Sequence, residues 1–317
     1  ASGGVVATKV INGGVVSDKK KVAVPGADIV MPIAGERDAS DLRFGAQMGV
    51  DFVAASFIRS AEDVAEIRRI LSSAGSKARI ISKIECVRGV DNLDAIIEAS
   101  DGLMVARGDL GVEFPPEDIP ILQKRMIAGC MRVGKPVITA TQMLESMIEH
   151  PRPTRAEASD VANAIFDGTD AVMLSAETAS GKYPLQSVEV MAKIAARTDR
   201  DLDRGVFLPR FRGDAKVSSV TEAVSRAVID AADDLRASAI VTPTESGYTA
   251  RMVARFRPSM PVYATTPHDH TAGWLSVVWG VATIITGVGK QDVQPGIRTS
   301  AVGAVTGSTG GTASSDA

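Results

Sequence analysis

The sequence of 317 residues predicts an α/β protein built on a parallel sheet, followed by a second, smaller α/β unit. Between residues 25 and 203, helical stretches alternate with short apolar runs, the order expected of a parallel sheet. The apolar runs are continuous, which is typical of strands covered on both faces. Residues 204–216 contain Gly205, Pro209 and Gly213 and predict a linker. A C-terminal α/β domain is expected in 217–317.

The N-terminal 24 residues predict a β-hairpin. Two β-like runs, 5–12 and 15–24, flank the pair Gly13-Gly14, and the turn signal Pro25-Gly26 closes the segment. We therefore expect residues 1–24 to form a β-rich piece separate from the α/β region.

Five strands and six helices are predicted in residues 25–203. The strands are 51–57, 79–85, 102–106, 136–140 and 170–174. The helices are 38–48, 60–71, 89–99, 116–133, 155–166 and 185–203. Ser60 is the expected N-cap of the second helix, since Asp63 follows at the third helical position. Functional sites on such sheets lie beyond the carboxyl ends of the strands.

The C-terminal unit repeats the alternation on a smaller scale. Its predicted helices are 217–235, a segment that ends at Phe256, and 271–279, and its predicted strands are 239–242, 261–265 and 282–286. A polar loop at 244–249 opens the middle helix. The tail at 301–317 is rich in Gly, Ser, Thr and Ala, so we expect its last residues to be flexible.

Composition excludes several classes of protein. The net charge of −3 leaves no basic footprint for nucleic acid. The two cysteines, Cys86 and Cys130, form no Cys-x-x-Cys pair, which argues against a disulfide framework or a zinc site and favours the cytoplasm. No apolar run approaches the ~20 residues needed to span a bilayer. The chain opens at Ala1 within a β-like run, so we expect a fragment or one piece of a longer protein.

Polar residues follow three neighbouring predicted strands at the point where each strand ends. Lys83 and Glu85 are two apart on one strand, so their side chains point the same way. The next strand runs into Arg107-Gly108-Asp109, and the one after it into Thr141. A cation, two carboxylates, a hydroxyl and a glycine suit a metal-bound phosphate ester. Mg²⁺ usually takes one or two carboxylates together with substrate oxygens, and phosphoryl transfer mainly needs positioning and charge neutralisation.

Several motifs, in order along the chain, resemble the pyruvate kinase family. They are NGG at 12–14, DFVAASF at 51–57, KIE at 83–85, MVARGDLGVE at 104–113, ITATQML at 138–144, PRPTRAE at 151–157 and VMLSAET at 172–178. The resemblance implies a partial (β/α)8 barrel with about five of its eight strands, a remnant of an inserted β lid domain at 1–24, and a C-terminal α/β domain that is shortened relative to the family. It implies phosphoryl transfer from phosphoenolpyruvate to ADP in a cytoplasmic homotetramer.

The same resemblance assigns roles to particular residues. Glu85 and Asp109 would bind Mg²⁺ or Mn²⁺. Lys83 and Thr141 would be catalytic, and Lys83, Arg107, Gly108, Asp109 and Thr141 would meet the substrate. Ser56, Ser175 and Glu177 would support the site. The family's K⁺ ligands and a substrate-binding arginine fall in the part of the barrel that this chain lacks.

Some alternatives remain open at this point. Asp109 and Thr141 could cap helices rather than touch ligands. The loop that contains Thr244, Ser246, Gly247 and Thr249 could be an effector site or an ordinary helix cap. Two other functions fit the same residues: an inactive fragment with a structural role, and a metal-dependent lyase or aldolase that acts on a pyruvate enolate.

Overall fold

The computed structural model of the chain describes residues 7–15, 22, 24, 32–202 and 219–286. In these residues the strands form two separate parallel sheets. The larger sheet contains β1 (Phe52–Ala55), β2 (Arg79–Ile84), β3 (Gly102–Ala106), β4 (Val137–Ala140) and β5 (Ala171–Met173). The smaller sheet contains β6 (Ile240–Pro243), β7 (Val262–Thr266) and β8 (Val281–Ile285).

Helices fill the connections between the strands. Those of the larger unit are α1 (Glu36–Gln47), α2 (Ala61–Ser73), α3 (Val87–Asp91), α4 (Leu93–Ala99), α5 (Arg107–Glu113), α6 (Ile119–Val133), α7 (Arg155–Asp167), α8 (Ala176–Ala179) and α9 (Pro184–Arg200), with a 3-10 turn at Glu145–Ile148. Those of the smaller unit are α10 (Val220–Asp234), α11 (Tyr248–Ala254) and α12 (Asp269–Leu275).

The strands of the larger sheet lie in the same order in space as in the chain. This consecutive order is that of a barrel wall, whereas a doubly wound sheet reverses its order at a switch point. Ile84 of β2 pairs with Val105 of β3. Ala106 of β3 in turn pairs with Ala140 of β4. The carboxyl ends of these three strands therefore meet at one edge of the sheet.

A continuous apolar core lies between the larger sheet and its helices. All five residues of β3 are buried, as expected of the middle strand of a covered sheet. Helix α2 buries Val64, Ile67 and Leu71, which share one helical face. Burial of each such side chain stabilises the fold by roughly 1.5–3 kcal/mol. Gly102 lets β3 approach its neighbours, because a Cβ there would lie 2.8 Å from the carbonyl oxygen of Pro136.

Three arginines near the end of α11 join the two units. Arg251 donates to the carbonyl oxygen of Gly134, and Arg255 donates to that of Arg132. Arg257 forms an ion pair with Asp170 at 3.1 Å, with both side chains at least 93% buried (2% and 7% exposed). A buried pair of this kind fixes the relative position of the sheets, since removal of one partner leaves an uncompensated charge.

The predicted α/β organisation is confirmed, with several differences in element bounds. The helix predicted at 89–99 is two helices that meet at Asn92. The helix predicted at 116–133 begins only at Ile119, after the turn that Pro115 and Asp118 form. Ser60 is the N-cap of α2 by position, but its side chain makes no capping hydrogen bond to the backbone.

Other sequence predictions fall wholly or partly outside the described residues. Residues 7–15 take no strand conformation, so this part of the predicted hairpin is not a strand in the structure. The rest of the hairpin, the linker at 204–216 and the tail at 301–317 lie outside, apart from isolated positions 22 and 24. The assignment of 1–24 to a lid domain stays a prediction. In the described part of the chain, no helix is both long and apolar enough to cross a membrane.

Candidate active site

Lys83 and Glu85 lie side by side at the carboxyl end of β2. The Lys83 Nζ atom is 2.7 Å from the Glu85 Oε1 atom. The lysine also donates to the Ser56 hydroxyl, at 2.9 Å, from the loop that follows β1. The Lys83 side chain is 23% exposed and that of Glu85 only 1%. A partly accessible ammonium group thus lies over a buried carboxylate, as the two-residue strand repeat predicts.

The loop after β1 holds Glu85 in place. The backbone N–H of Phe57 donates to Glu85 Oε2 at 2.7 Å. Phe57 has a φ of +55°, a conformation uncommon for a bulky residue. Strain of this kind persists where the surrounding structure enforces it, often at functional sites. Glu85 Oε1 is buried and has no hydrogen-bond partner of acceptable geometry in the described residues, although it contacts the Lys83 ammonium.

Thr141 bridges the ends of β3 and β4. Its hydroxyl accepts a hydrogen bond from the Gly108 N–H at 2.8 Å and donates to the Ala140 carbonyl at 2.6 Å. Thr141 and Gln142 have φ values of +65° and +54°, so the chain turns sharply as it leaves β4. The hydroxyl of Thr141 is therefore fixed beside the first turn of α5, the helix that carries Gly108 and Asp109.

Arg107 holds this turn in place through hydrogen bonds from its guanidinium group. Its side chain is buried, and it donates to the carbonyl oxygens of Thr141 at 2.6 Å and Gln142 at 3.1 Å. It also contacts Asp160 on α7 at 2.6 Å. These contacts favour a role in positioning the strained loop over direct contact with a ligand.

Glu177 plays a similar part at the end of β5. It is buried, and its two carboxylate oxygens accept hydrogen bonds from the backbone N–H groups of Ser175, at 2.7 Å, and Leu144, at 3.1 Å. The carboxylate thereby ties the loop after β5 to the loop after β4. This arrangement fits the supporting role that the sequence predicts for Ser175 and Glu177.

Comparison with known proteins agrees with the fold and with these motifs. The family model described as "Pyruvate kinase, barrel domain" matches residues 2–188, and the one described as "Pyruvate kinase, alpha/beta domain" matches residues 222–309. The chain belongs to the pyruvate kinase family.

Pyruvate kinases from several organisms match most of the chain. The pyruvate kinase of Sporosarcina psychrophila is 53% identical over 284 residues, 89% of this chain and 48% of the relative. That of Clostridium acetobutylicum is 52% identical over 87% of this chain and 59% of the relative. That of Eimeria tenella is 47% identical over 88% of this chain and 53% of the relative. The chain spans about half the length of the curated relatives it matches.

The loop proposed as an effector site has two of its polar side chains, Thr244 and Glu245, engaged within the protein. The Thr244 hydroxyl accepts from the N–H of Gly247 at 3.0 Å. Gly247 has a φ of +78° and precedes α11 as its N-cap. The Glu245 side chain contacts His268, whose Nε2 atom lies 2.6 Å away. Helix α11 thus begins without a side-chain capping hydrogen bond at Gly247, and the effector role of Thr244, Ser246, Gly247 and Thr249 stays a prediction.

Two supporting contacts were missed at the sequence level. Asp160 pairs with Arg107 across 53 positions, and the Phe57 N–H binds Glu85 across 28. No pattern in the neighbouring sequence predicts either contact. Asp160 lies within a helix whose pattern resembles any amphipathic helix, and a backbone N–H carries no residue identity.

Proposed function

We propose that this chain carries the phosphoryl-transfer site of a pyruvate kinase, which converts phosphoenolpyruvate and ADP to pyruvate and ATP in the cytoplasm, in the last step of glycolysis. The observation that carries the proposal is the contact of Lys83 with Glu85 at the edge where Thr141 joins α5. Three parallel strands deliver these groups to one place. The family membership supports the same reaction.

Lys83 stabilises the negative charge of the phosphoryl group during its transfer. Phosphoryl transfer spreads negative charge over the equatorial oxygens, and catalysis consists mostly of positioning and charge stabilisation. The ammonium group is partly accessible and is held by Ser56 and Glu85, so it is aimed before a substrate arrives. A lysine presents a compact point charge that suits a phosphoryl oxygen.

Thr141 takes part in protonation of the enolate that phosphoryl loss leaves behind. Its proton is directed to the Ala140 carbonyl, and one of its lone pairs accepts from Gly108. The remaining lone pair can accept a hydrogen bond from a water molecule. That water would give its second proton to the enolate carbon, and the hydroxide left behind would take a proton from bulk water, so Thr141 orients the donor and keeps its own proton.

Glu85 and Asp109 are the proposed ligands of Mg²⁺ or Mn²⁺. The buried Glu85 Oε1 atom, which lacks a hydrogen-bond partner in the described residues, has the chemistry of a metal ligand. No group of three His, Cys, Asp or Glu residues within the described ranges is placed to hold a metal, so the other ligands in this proposal are substrate oxygens and water. A bound divalent ion supplies neutralisation of the phosphoryl charge. The K⁺ requirement and the homotetramer are carried over from the family, and the K⁺ ligands lie outside this chain.

A second reading has one observation in its favour. In the described part of the chain, β1 and β5 each pair with a single strand. Closure of the barrel requires further strands. On this reading, the chain as given is an inactive piece of a pyruvate kinase.

Pyruvate formation by the purified 317-residue chain distinguishes these readings. Phosphoenolpyruvate is supplied with ADP and Mg²⁺ each present or omitted. Production that depends on both supports the kinase proposal, and production without ADP points to a lyase or a phosphatase. A chain that is folded by circular dichroism but yields no pyruvate is the inactive fragment.

A further inference from the structure

A network of four polar side chains connects the protein surface to the turn at Thr141. It starts at Lys124 on α6, whose side chain is 56% exposed and whose ammonium group contacts the Oδ1 atom of Asp167 on α7. The Oδ2 atom of Asp167 accepts a hydrogen bond from Gln123 Nε2 at 3.1 Å. The Gln123 Oε1 atom lies 3.5 Å from Arg107 Nη1, which donates to it. The polar network therefore ends at the guanidinium group that holds the turn.

The three inner members of the polar network are buried. The exposed fractions are 6% for Arg107, 5% for Gln123 and 8% for Asp167. Burial of a polar group costs free energy unless the group is hydrogen-bonded. Replacement of a buried ion pair by apolar side chains is often neutral or even stabilising. Stability alone is therefore a weak reason for such an arrangement.

The position of Asp167 adds to this cost. Asp167 is the last residue of α7, where the helix dipole disfavours a negative charge. Donors from the neighbouring helix α6, on Lys124 and Gln123, offset the cost. Asp160, which pairs with Arg107, lies seven residues before Asp167, so both carboxylates are on one face of α7. Helix α7 thus contacts Arg107 directly through Asp160 and indirectly through Asp167.

The neighbours of Gln123 fix the orientation of its amide group. A guanidinium group only donates hydrogen bonds and a carboxylate only accepts them, so the amide oxygen faces Arg107 and the amide nitrogen faces Asp167. The reversed amide would place donor against donor and acceptor against acceptor. Gln123 therefore joins two ion pairs, Arg107 with Asp160 and Lys124 with Asp167, into one connected network.

The polar network restricts where the Arg107 guanidinium group can lie. Its Nη1 atom is shared by Asp160, at 2.6 Å, and by Gln123. Its Nη2 atom donates to the carbonyl oxygen of Thr141 at 2.6 Å. Because Nη1 is held by two acceptors, Nη2 stays directed at the turn. The Thr141 hydroxyl accepts from the Gly108 N–H, so a shift of Arg107 would reach the start of α5.

We propose that Gln123 and Asp167 are positioning residues, which act as one unit through Arg107 to fix the Thr141 hydroxyl beside the Gly108 N–H. Their effect on the reaction rests on the proposed function, in which Thr141 orients the water that protonates the enolate. Their effect on the turn requires no turnover. The two effects are therefore measured separately.

Hydrogen exchange of the Gly108 amide, followed by NMR in the full chain without substrate, tests the effect on the turn. Gln123→Met keeps the approximate size of the side chain and removes its amide group. We expect the Gly108 amide to exchange about tenfold faster, the scale of one lost buried hydrogen bond, because its acceptor on Thr141 is held less firmly. The Leu103 amide in β3, which donates to the Pro136 carbonyl, should keep its rate. A general loss of stability would accelerate both amides.

A second variant tests whether the two residues act together. Asp167→Asn should also accelerate exchange at Gly108, since a neutral amide accepts a hydrogen bond less strongly than a carboxylate. The double variant should exchange about as fast as Gln123→Met alone, because members of one unit are not additive, whereas independent residues would multiply their effects. Asp94→Asn is the control, since it removes a carboxylate that is 80% exposed and pairs with Arg132 of α6. It should leave the Gly108 rate unchanged.

Turnover in the pyruvate assay tests the effect on the reaction. In an active parent chain, Gln123→Met should lower kcat about tenfold and leave the KM for phosphoenolpyruvate nearly unchanged, with equal folded fractions by circular dichroism. Gln186→Met, at an exposed position on α9, should keep the parent kcat.

The outcomes separate this inference from the proposed function. No pyruvate from the parent chain, together with faster exchange at Gly108 in Gln123→Met, would count against the proposed function and support the positioning of the turn. An unchanged Gly108 rate in folded Gln123→Met, equal acceleration at Gly108 and Leu103, or an unchanged kcat in an active chain would overturn the inference. Asp167→Asn provides the same test if Gln123→Met fails to fold.

Discussion

At the residue scale, the candidate site depends on how a strand places alternate side chains on one side. Lys83 and Glu85 emerge together from β2, and the Phe57 N–H and Ser56 hydroxyl fix them from the loop that follows β1. The pair combines a buried anion with a more accessible cation. Such a pair can hold a metal on one side and a phosphoryl group on the other.

Replacement of Glu85 tests the proposed metal ligand without any need for turnover. In Glu85→Gln the amide oxygen can still accept from Phe57, but the negative charge is lost. We expect the affinity for Mn²⁺ to fall at least about tenfold, since hard divalent cations depend on carboxylate charge. Mn²⁺ binding followed by electron paramagnetic resonance measures this change. Glu66→Gln, at an exposed position on α2, should leave the affinity unchanged, and unchanged affinity in Glu85→Gln would remove Glu85 from the site.

Replacement of Arg107 tests its role in positioning the turn at Thr141. Lysine keeps the charge of Arg107 but cannot donate in a fork to the carbonyl groups of Thr141 and Gln142 while it also pairs with Asp160. We expect Arg107→Lys to lower the free energy of unfolding by about 1–3 kcal/mol, the cost of unsatisfied buried acceptors. Urea denaturation measures this loss, with Arg125→Lys on the exposed side of α6 as the control. A stability equal to that of the parent chain would exclude the positioning role.

At the element scale, α7 shows how capping chemistry fixes a helix beside the site. Thr154 is the N-cap, and its hydroxyl accepts from the Glu157 N–H while Glu157 accepts from the Thr154 N–H. Glu157 also accepts from the N–H of Ser146, at 2.7 Å, in the turn that follows β4. The start of α7, the helix that carries Asp160, is therefore bound to the segment that follows β4 and Thr141.

This capping box predicts a pH dependence of stability. Burial disfavours the charged form of Glu157, but the hydrogen bonds from Ser146 and Thr154 outweigh it, and the pKa falls below the ordinary value of 4.5. A lowered pKa means that the stabilisation is complete above pH 4.5 and disappears as the pH falls through the folded-state pKa. Glu157→Gln should therefore lose stability near pH 7 and lose less further stability on acidification than the parent chain. Urea midpoints between pH 7 and pH 3 measure the difference, and parallel curves for the two proteins would contradict it.

The sequence predicted the strands better than the loops, for physical reasons. A continuous apolar run predicts a buried parallel strand such as β3, whose bounds were predicted without error. The break at Asn92 between α3 and α4 has no proline or glycine to mark it. The side chains at the strand ends followed from strand order, whereas the contact of Arg107 with Asp160 depends on tertiary packing that no local pattern encodes.

At the scale of the whole molecule, the two units are joined by buried arginines rather than by an apolar interface alone. Arg257 pairs with Asp170, which also accepts from the backbone N–H groups of Val137 and Trp279. Asp170 immediately precedes β5, so the smaller unit is fixed to the amino-terminal edge of the larger sheet. The candidate active site lies at the opposite edge, where the strands end.

Removal of the Arg257 charge should loosen this junction. In Arg257→Met the buried Asp170 carboxylate loses its cation but keeps its two backbone donors. We expect a loss of about 3 kcal/mol in the free energy of unfolding, at the low end for a broken buried pair. Thermal denaturation should also separate into two transitions as the units uncouple. Arg200→Met, at the exposed end of α9, serves as the control, and a single unshifted transition in Arg257→Met would show that the pair does not hold the units together.

The most direct test of the phosphoryl-transfer site is the turnover of Lys83→Met in the pyruvate assay with phosphoenolpyruvate, ADP and Mg²⁺. Methionine keeps the apolar packing of the side chain and removes only the charge. We predict a loss of turnover of about a hundredfold to a thousandfold, the scale on which removal of one preorganised electrostatic group acts, with the fold unchanged by circular dichroism. Lys193→Met, at an exposed position on α9, should keep full turnover. Measurable pyruvate formation by Lys83→Met at the rate of an active parent chain would contradict the assignment of this edge of the sheet as the catalytic site.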